Sequence, residues 1–432
     1  MSNLDNSYSQ TELQQYTNTQ LLPQAVEPPI ESAVYKQTAA DFVVIEQMVI
    51  DFSEQGEHLW LQVQKTGVNT SHLAKELAKW ADIPLRDVGY SGIKDRHAVT
   101  TQWFSLRIPK KQLPSSEFIY SSSSLGSKEK TAQKQEIETV TILQQHWHHK
   151  KLNRGTHKAN RFIITLREIV GDKQAIEKQL QNISKQGVPN YFGEQRFGRN
   201  GNNLPQVLRW FEKLEQKNIE QINHEQESLA LNNADNKNNK KKGKQNKRQL
   251  RKNRETESIL LSTARSVIFN QILAERVKDG SWQTGLQGEV FNLAGTGSVF
   301  SGDFSLDDES TTDDLNSRLQ AMDIHPTAVL WGQVSEKSIQ PHSTAQALES
   351  RIVKNSPVLT KLARGLEKQG LKSARRPLRL QVHDLTWEWQ TKDLKETRGL
   401  EDTETILQLS FALPKGSFAT SVLASLIQQK KI

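Results

Sequence analysis

An α+β fold is what the sequence predicts, on three observations. Runs that alternate apolar and polar residues are interspersed with runs of helical periodicity. The two kinds follow no regular strand–helix–strand rhythm, which a parallel doubly wound sheet would impose. The chain has 432 residues, room for roughly two or three domains of about 150 residues each.

The elements follow in order. Residues 1–30, rich in Gln, Asn, Ser and Thr, read as a disordered polar tail. A strand is expected over 41–45. In "HLWLQV", Leu59, Leu61 and Val63 alternate onto one face and predict a second strand. "NTSHLAKELAKW" sets Leu73, Leu77 and Trp80 at helical spacing, with Asn69 or Thr70 as N-cap. A glycine-containing loop at 89–97 leads into the strand "TTQWFSLRI", and 114–135 reads as a surface loop. "RFIITLREI" alternates again, and "GDKQAIEKQLQNISKQG" predicts a helix ending near Gly187. Residues 216–255 form a low-complexity insertion rich in Asn, Gln and Lys, and a helix is expected through "TESILLSTARSVIFNQILAERV". At the end, Leu407, Leu409, Phe411 and Leu413 alternate on a last strand, followed by a turn, a Ser417 cap and a C-terminal helix.

Composition excludes several chemistries. There is no cysteine, so thiolate nucleophiles, Cys-based zinc sites, iron–sulfur clusters and disulfides are ruled out together. No stretch approaches 18 uninterrupted apolar residues, and the N-terminus has neither a basic n-region nor an apolar h-region. A soluble, cytoplasmic protein without a membrane partner is the expectation. The net charge of +8 invites a nucleic-acid reading, but its location matters. Residues 237–254 carry ten Lys and Arg and no acid, leaving 47 basic against 49 acidic residues elsewhere. That run reads either as a solvated linker or as an electrostatic tether for RNA.

Chemistry concentrates in "GYSGIKDRHAVTTQWF" at 89–104. Asp95 sits between Lys94 and Arg96 with His97 next, ahead of a strand. Nearby positive charge favours the ionised carboxylate, and an ionised, positioned aspartate serves as nucleophile or electrostatic stabiliser. Taken without relatives, a charged solvated loop is the simpler reading.

The segment "GIKDRHAVTTQWF" resembles the nucleophile loop of the tRNA pseudouridine synthase D family, and it is not alone. "KQTAADFVVIE" at 36–46, "KANRF" at 158–162, "GVPNYFGEQRFG" at 187–198 and "LPKGSFATSVL" at 413–423 resemble further family motifs in family order. The resemblance implies a pseudouridine synthase catalytic domain with a mixed, largely antiparallel sheet over 31–186 and 381–432. It implies an inserted family-specific α+β domain over 187–380, containing the 216–255 insertion. It also implies isomerisation of uridine in tRNA, at uridine-13 of the D arm, with Asp95 as nucleophile on a flipped-out nucleotide. Matching motif positions implies Lys36 beside the Asp95 carboxylate, Asn160 on the uracil edge or its sugar, and Phe42, Phe162 and Phe418 around the base. His97 reads as structural. No cofactor, metal or nucleotide is implied, because the rearrangement neither adds an atom nor changes oxidation state, and a monomer is expected. Two departures stand out. Ala39 and Ala40 occupy positions where the family commonly has Pro-Glu, and the 216–255 insertion is not part of the pattern.

Other signals carry less. "GLEKQGLKS" at 365–373 has two glycines at P-loop spacing, but Leu371 intervenes before Lys372, so no phosphate cradle is expected. "AGTGSVF" at 294–300 reads as a turn, and "HWHH" at 146–149 as solvated or phosphate-touching loop. Two rival functions remain at this stage: an RNA-binding module with Asp95 idle, and a carboxylate-dependent nucleoside or glycoside hydrolase. The latter needs a second carboxyl group, for which the motifs offer only Glu46.

Overall fold

The structure, a computed structural model, describes residues 8–112, 117–120, 138–231, 247–304, 309–393 and 403–428. The chain divides into two compact units, one of residues 28–187 with 381–430, the other of residues 1–27 with 188–380. A mixed, largely antiparallel sheet with flanking helices makes the fold α+β.

The first unit is built on nine strands: β1 (Ile30–Val34), β2 (Phe42–Gln47), β3 (His58–Thr66), β4 (Val88–Tyr90), β5 (Val99–Arg107), β6 (Thr139–His148), β7 (Ala159–Gly171), β8 (His383–Asp393) and β9 (Thr403–Pro414). Their order is β8-β9-β7-β2-β5-β3-β6, with β1 added on β7 and β4 on β5. Only β2 and β5 pair in parallel; the other pairs are antiparallel.

The period of two decides what each face buries. Leu59, Leu61 and Val63 of β3 pack with Phe104 and Leu106 of β5 against Leu73 and Leu77 of the helix Thr70–Trp80. Trp60, one residue out of phase, lies on the opposite face with Trp103 and Leu152. Lys173–Gln186 is helical because Asp172 caps it by accepting the Ala175 N–H, and Gly187, at φ 71°, ends it in the left-handed region a glycine adopts without strain.

Several expectations are corrected. Ser417 does not cap the C-terminal helix; the cap position of Ala419–Ala424 is Phe418. Neither candidate cap at the start of Thr70–Trp80 makes a capping hydrogen bond, because the Thr70 hydroxyl is drawn into the loop that carries Asp95. "HWHH" is not a loop: His146 and His148 lie on β6, with His146 stacked on Phe52 and bonded to Glu54. Of the surface loop expected at 114–135, only 117–120 falls among the described residues.

In the second unit, the polar N-terminal stretch carries a helix, Gln10–Thr17. Ser9 and Glu12 form its capping box, and it buries Leu13 and Thr17. A four-stranded antiparallel sheet runs Val299–Gly302, Glu289–Leu293, Ile324–Leu330, Ala374–Pro377. The turn at 294–298 joins the first two of these. Helices Asn203–Leu231 and Lys247–Lys278 pack together, and each buries an apolar set, Leu204, Val207, Leu208 and Phe211 on one and Leu260, Ala264, Val267 and Ile268 on the other. Residues 216–231 and 247–255 of the expected low-complexity insertion are therefore helical. Lys, Gln and Glu are good helix formers, and the apolar turns beyond them supply the packing. Residues 232–246, with half of the basic run, lie outside the described residues.

Candidate active site

Cross-strand register brings the apolar walls of the site together. Phe42, Val44 and Glu46 share the buried face of β2. On β7, Asn160 lies opposite Glu46 and Phe162 opposite Val44. On β9, Leu413 lies opposite Asn160 and Phe411 opposite Phe162. The Phe162 and Phe411 rings, directly opposite, stack at 5.6 Å; Phe42, on the diagonal, meets Phe162 edge-on at 6.2 Å.

Asp95 sits in the loop between β4 and β5, and that loop is pinned from the far end of β3. The Lys65 ammonium donates to the Asp95 carbonyl (3.1 Å). Gly67 N–H donates to the Arg96 carbonyl (3.1 Å), and Arg96 Nε donates back to the Gly67 carbonyl (2.7 Å). The Lys94 N–H donates to the Thr70 hydroxyl (3.0 Å) and Gln102 to the Gly92 carbonyl (3.2 Å). So held, the Asp95 carboxylate accepts from Lys36 Nζ at 2.6 Å and from the His97 N–H at 3.0 Å. Its side chain keeps 28% exposure, and that of Lys36 27%, so the pair is open to a reactant. Partial burial pushes the Asp95 pKa up, but the Lys36 hydrogen bond and charge, with His97, outweigh it and hold the carboxyl below its ordinary value. Lys36 has left-handed backbone, φ 62°, uncommon for a residue with a Cβ. Its ammonium also lies 4.1 Å over the Phe42 ring.

A second charged pair lies beneath. Lys94 Nζ donates to Asn160 Oδ1 at 2.5 Å and stands 3.4 Å from Glu46 Oε1. Glu46, whose side chain is wholly buried, also accepts the Trp103 N–H at 3.0 Å and faces His157 at 3.6 Å. Burial raises the Glu46 pKa and lowers that of Lys94, each opposed by the partner's charge. His157 shares a 2.5 Å hydrogen bond with Ser91, and burial with the Lys94 and Lys415 charges pushes its pKa down to about 4, so it is neutral at physiological pH.

Of the residues the motifs single out, the structure brings Lys36, Asp95 and Phe42 into one cluster and Phe162 against Phe42. Asn160 reaches the cluster through Lys94, the neighbour of Asp95. Phe418, half-buried, stands five residues past Leu413, at the start of the last helix. The residues flanking Asp95 do not face it as the local sequence suggested. Lys94 turns to Glu46 and Asn160, and Arg96 to Gly67 and Glu138. Sequence reasoning missed Lys65, Phe411, His157 and Ser91. Lys65 was legible in principle, because it continues the alternation of Leu59, Leu61 and Val63 into the buried face. Among the described residues, no group of three or more His, Asp or Glu is arranged to hold a metal ion, and no helix is long and apolar enough to cross a membrane.

Comparison with known proteins gives first the class of fold. A solved structure from Methanosarcina mazei, described as of the tRNA pseudouridine synthase D type, aligns over 96% of this chain and 98% of its own. Its TM-score is 0.60 and its identity 20%; at that identity the likeness speaks for the fold. The family model of tRNA pseudouridine synthase D (TruD) matches residues 27–207 and 212–426. The tRNA pseudouridine synthase D of Psychrobacter arcticus is 49% identical over 431 residues, covering 95% of this chain and 94% of that protein. The Xanthomonas axonopodis pv. citri protein of the same name is 38% identical, covering 94% of each. The chain belongs to the tRNA pseudouridine synthase D family, an isomerase family.

Proposed function

We propose that this chain is a cytoplasmic, monomeric tRNA pseudouridine synthase acting at uridine-13 of the D arm, with Asp95 as its nucleophile. Family membership supports the reaction class, and the Lys36–Asp95 pair is the single observation that supports Asp95 as its centre. An aspartate kept ionised by a neighbouring ammonium, pinned through its own carbonyl, is ready to act on the sugar or base of an extruded uridine. In the net reaction the N1–C1′ bond breaks and a C5–C1′ bond forms, while the proton on C5 is given up and N1 gains one. Phe42 and Phe162, 6% and 7% exposed, are assigned to the apolar base of the pocket, and base–aromatic stacking is worth roughly 1–3 kcal/mol per base. Phe418 is assigned to the same pocket, and Asn160, its carbonyl oxygen fixed by Lys94, leaves its amide N–H groups for the uracil edge or its sugar. Residues 28–187 with 381–430 form the catalytic unit on this reading.

The hydrolase alternative loses its acid. Glu46 is wholly buried and already engaged by Trp103 and Lys94, so it offers no exposed carboxyl to activate water.

Asp95→Asn tests the proposal on an unmodified tRNA transcript. Isomerisation should fall by roughly 10⁴-fold or more, with RNA affinity within a few-fold of wild type. Pseudouridine mapped by carbodiimide labelling after incubation with the variant would sink the assignment, and release of free uracil by the wild type would sink the reaction.

A further inference from the structure

The unit of residues 1–27 and 188–380 holds a charge arrangement that the reaction does not use. Phe192 is buried, and two guanidinium groups lie against its ring: Arg376 at 4.1 Å from the centroid and Arg196 at 5.3 Å. Arg376 also lies 5.5 Å from the Phe269 ring. Each arginine has one neutral partner. Arg196 donates to the Ser262 hydroxyl (2.8 Å) and Arg376 to the Asn190 side-chain oxygen (2.6 Å). Neither forms an ion pair among the described residues, and the Nε of each is buried without an acceptor.

This is an expensive arrangement. A buried charge is ordinarily paired, and an orphaned buried donor is destabilising. Cation–π contact returns only part of that cost. Burial lowers both pKa values, and for Arg376 the Arg196 charge adds to burial to bring it down to about 9. Arg379 and Arg265 of this unit also lack an ion pair among the described residues but are held by backbone carbonyls, Arg379 by those of Leu319 and Ile324 and Arg265 by that of Trp331, whereas other arginines meet carboxylates. Arg375, next to Arg376, closes on Glu349 at 2.9 Å, and Arg276 on Glu289 at 2.7 Å. Both unpaired arginines are half-buried as residues, Arg376 the more deeply enclosed of the two. Two guanidinium groups beside one ring, each tied to a neutral side chain, carry forked donors, which suit a phosphate oxygen better than a mobile lysine does.

We propose that Arg196 and Arg376, stacked on Phe192, form a binding site for a backbone phosphodiester of the RNA substrate. The site holds the strand without reading its sequence, since phosphate contacts position and base contacts specify. The inference rests on the reading that this chain binds tRNA, and adds a site for that substrate in the unit that does not carry Asp95.

The experiment uses the full chain and an unmodified tRNA transcript. Dissociation constants are measured across a salt series for wild type, Arg196→Gln and Arg376→Gln, with turnover at saturating RNA alongside. Each glutamine variant should bind roughly tenfold more weakly at low salt and flatten the plot of log K against log salt by about 0.7–0.9. Turnover at saturation should stay within about twofold of wild type. The charge-keeping Arg376→Lys should restore most of the slope. A folded glutamine variant with the wild-type slope overturns the site, and so does failure of both the Gln and Lys variants to fold, because the arginines would then serve the core alone. Absent tRNA binding by the wild type would fail the proposed function instead, so the two failures are separable.

Discussion

Two regions of this molecule treat buried positive charge in opposite ways. Around Asp95 each cation meets oxygen of the right kind. Lys36 closes on the Asp95 carboxylate, Lys94 on Glu46 and Asn160, and Lys65 on the Asp95 carbonyl. Around Phe192, Arg196 and Arg376 stack on a ring with no carboxylate among the described residues. On the functions proposed above the difference is one of purpose: a carboxylate that is to react needs a counter-charge that keeps it ionised, whereas a site for a ligand's anion gains affinity from leaving that counter-charge out.

The largest expected effect breaks the paired side of that comparison. Glu46→Gln leaves the nearly wholly buried Lys94 ammonium without its carboxylate, and removing one partner of a buried pair costs about 3–5 kcal/mol. Chemical denaturation should show a loss of that order. A loss below about 1 kcal/mol would mean that Lys94 is neutral in the folded protein.

Lys36→Met comes next and acts on the chemistry rather than the fold. Without the ammonium, burial is less strongly opposed and the Asp95 pKa rises. The acid limb of kcat/KM should move to higher pH, and the rate at neutral pH should drop by roughly 10²-fold. An unmoved acid limb would show that Lys36 does not set the charge of Asp95.

The smallest effect concerns Lys65, which has 0% exposure and a pKa brought down to about 8 by burial, against the Asp95 charge and with that of Lys94. Between pH 8 and the ordinary lysine value of about 10.5, the unfolded chain holds a proton that the folded chain has released. Stability from this group therefore rises with pH across that window, by about 2 kcal/mol in order of magnitude. Unfolding free energies at pH 8 and pH 10 should show the rise in wild type and a smaller one in Lys65→Met. Identical pH dependence in the two proteins would remove Lys65 as a titrating group.

Much of the local structure was legible in the sequence, for a plain reason. Alternation at Leu59, Leu61 and Val63 and helical spacing at Leu73 and Leu77 are properties of short segments, and both elements form. The misreadings came where local composition competes with distant packing. The polar stretch before residue 30 forms a helix because Leu13 finds a buried place and Tyr16 bonds Ser356, some 340 residues away. The ends of the basic insertion are helical because the apolar turns of two long helices pack together.

By itself the sequence determined the segments and the chemistries that the absence of cysteine forbids, since these depend on residue type and near-neighbour spacing; Asp95 stood out through the resemblance of its loop to a family motif. Local spacing does not say which cation faces Asp95: the motif resemblance implied Lys36, and the tertiary structure is what brings the two together. Lys94 and Arg96 adjoin it in the chain but reach for other oxygens, whereas Lys36, 59 residues earlier, supplies the 2.6 Å contact. Electrostatic energy falls with distance through space, and adjacency along a chain does not fix where two side chains end.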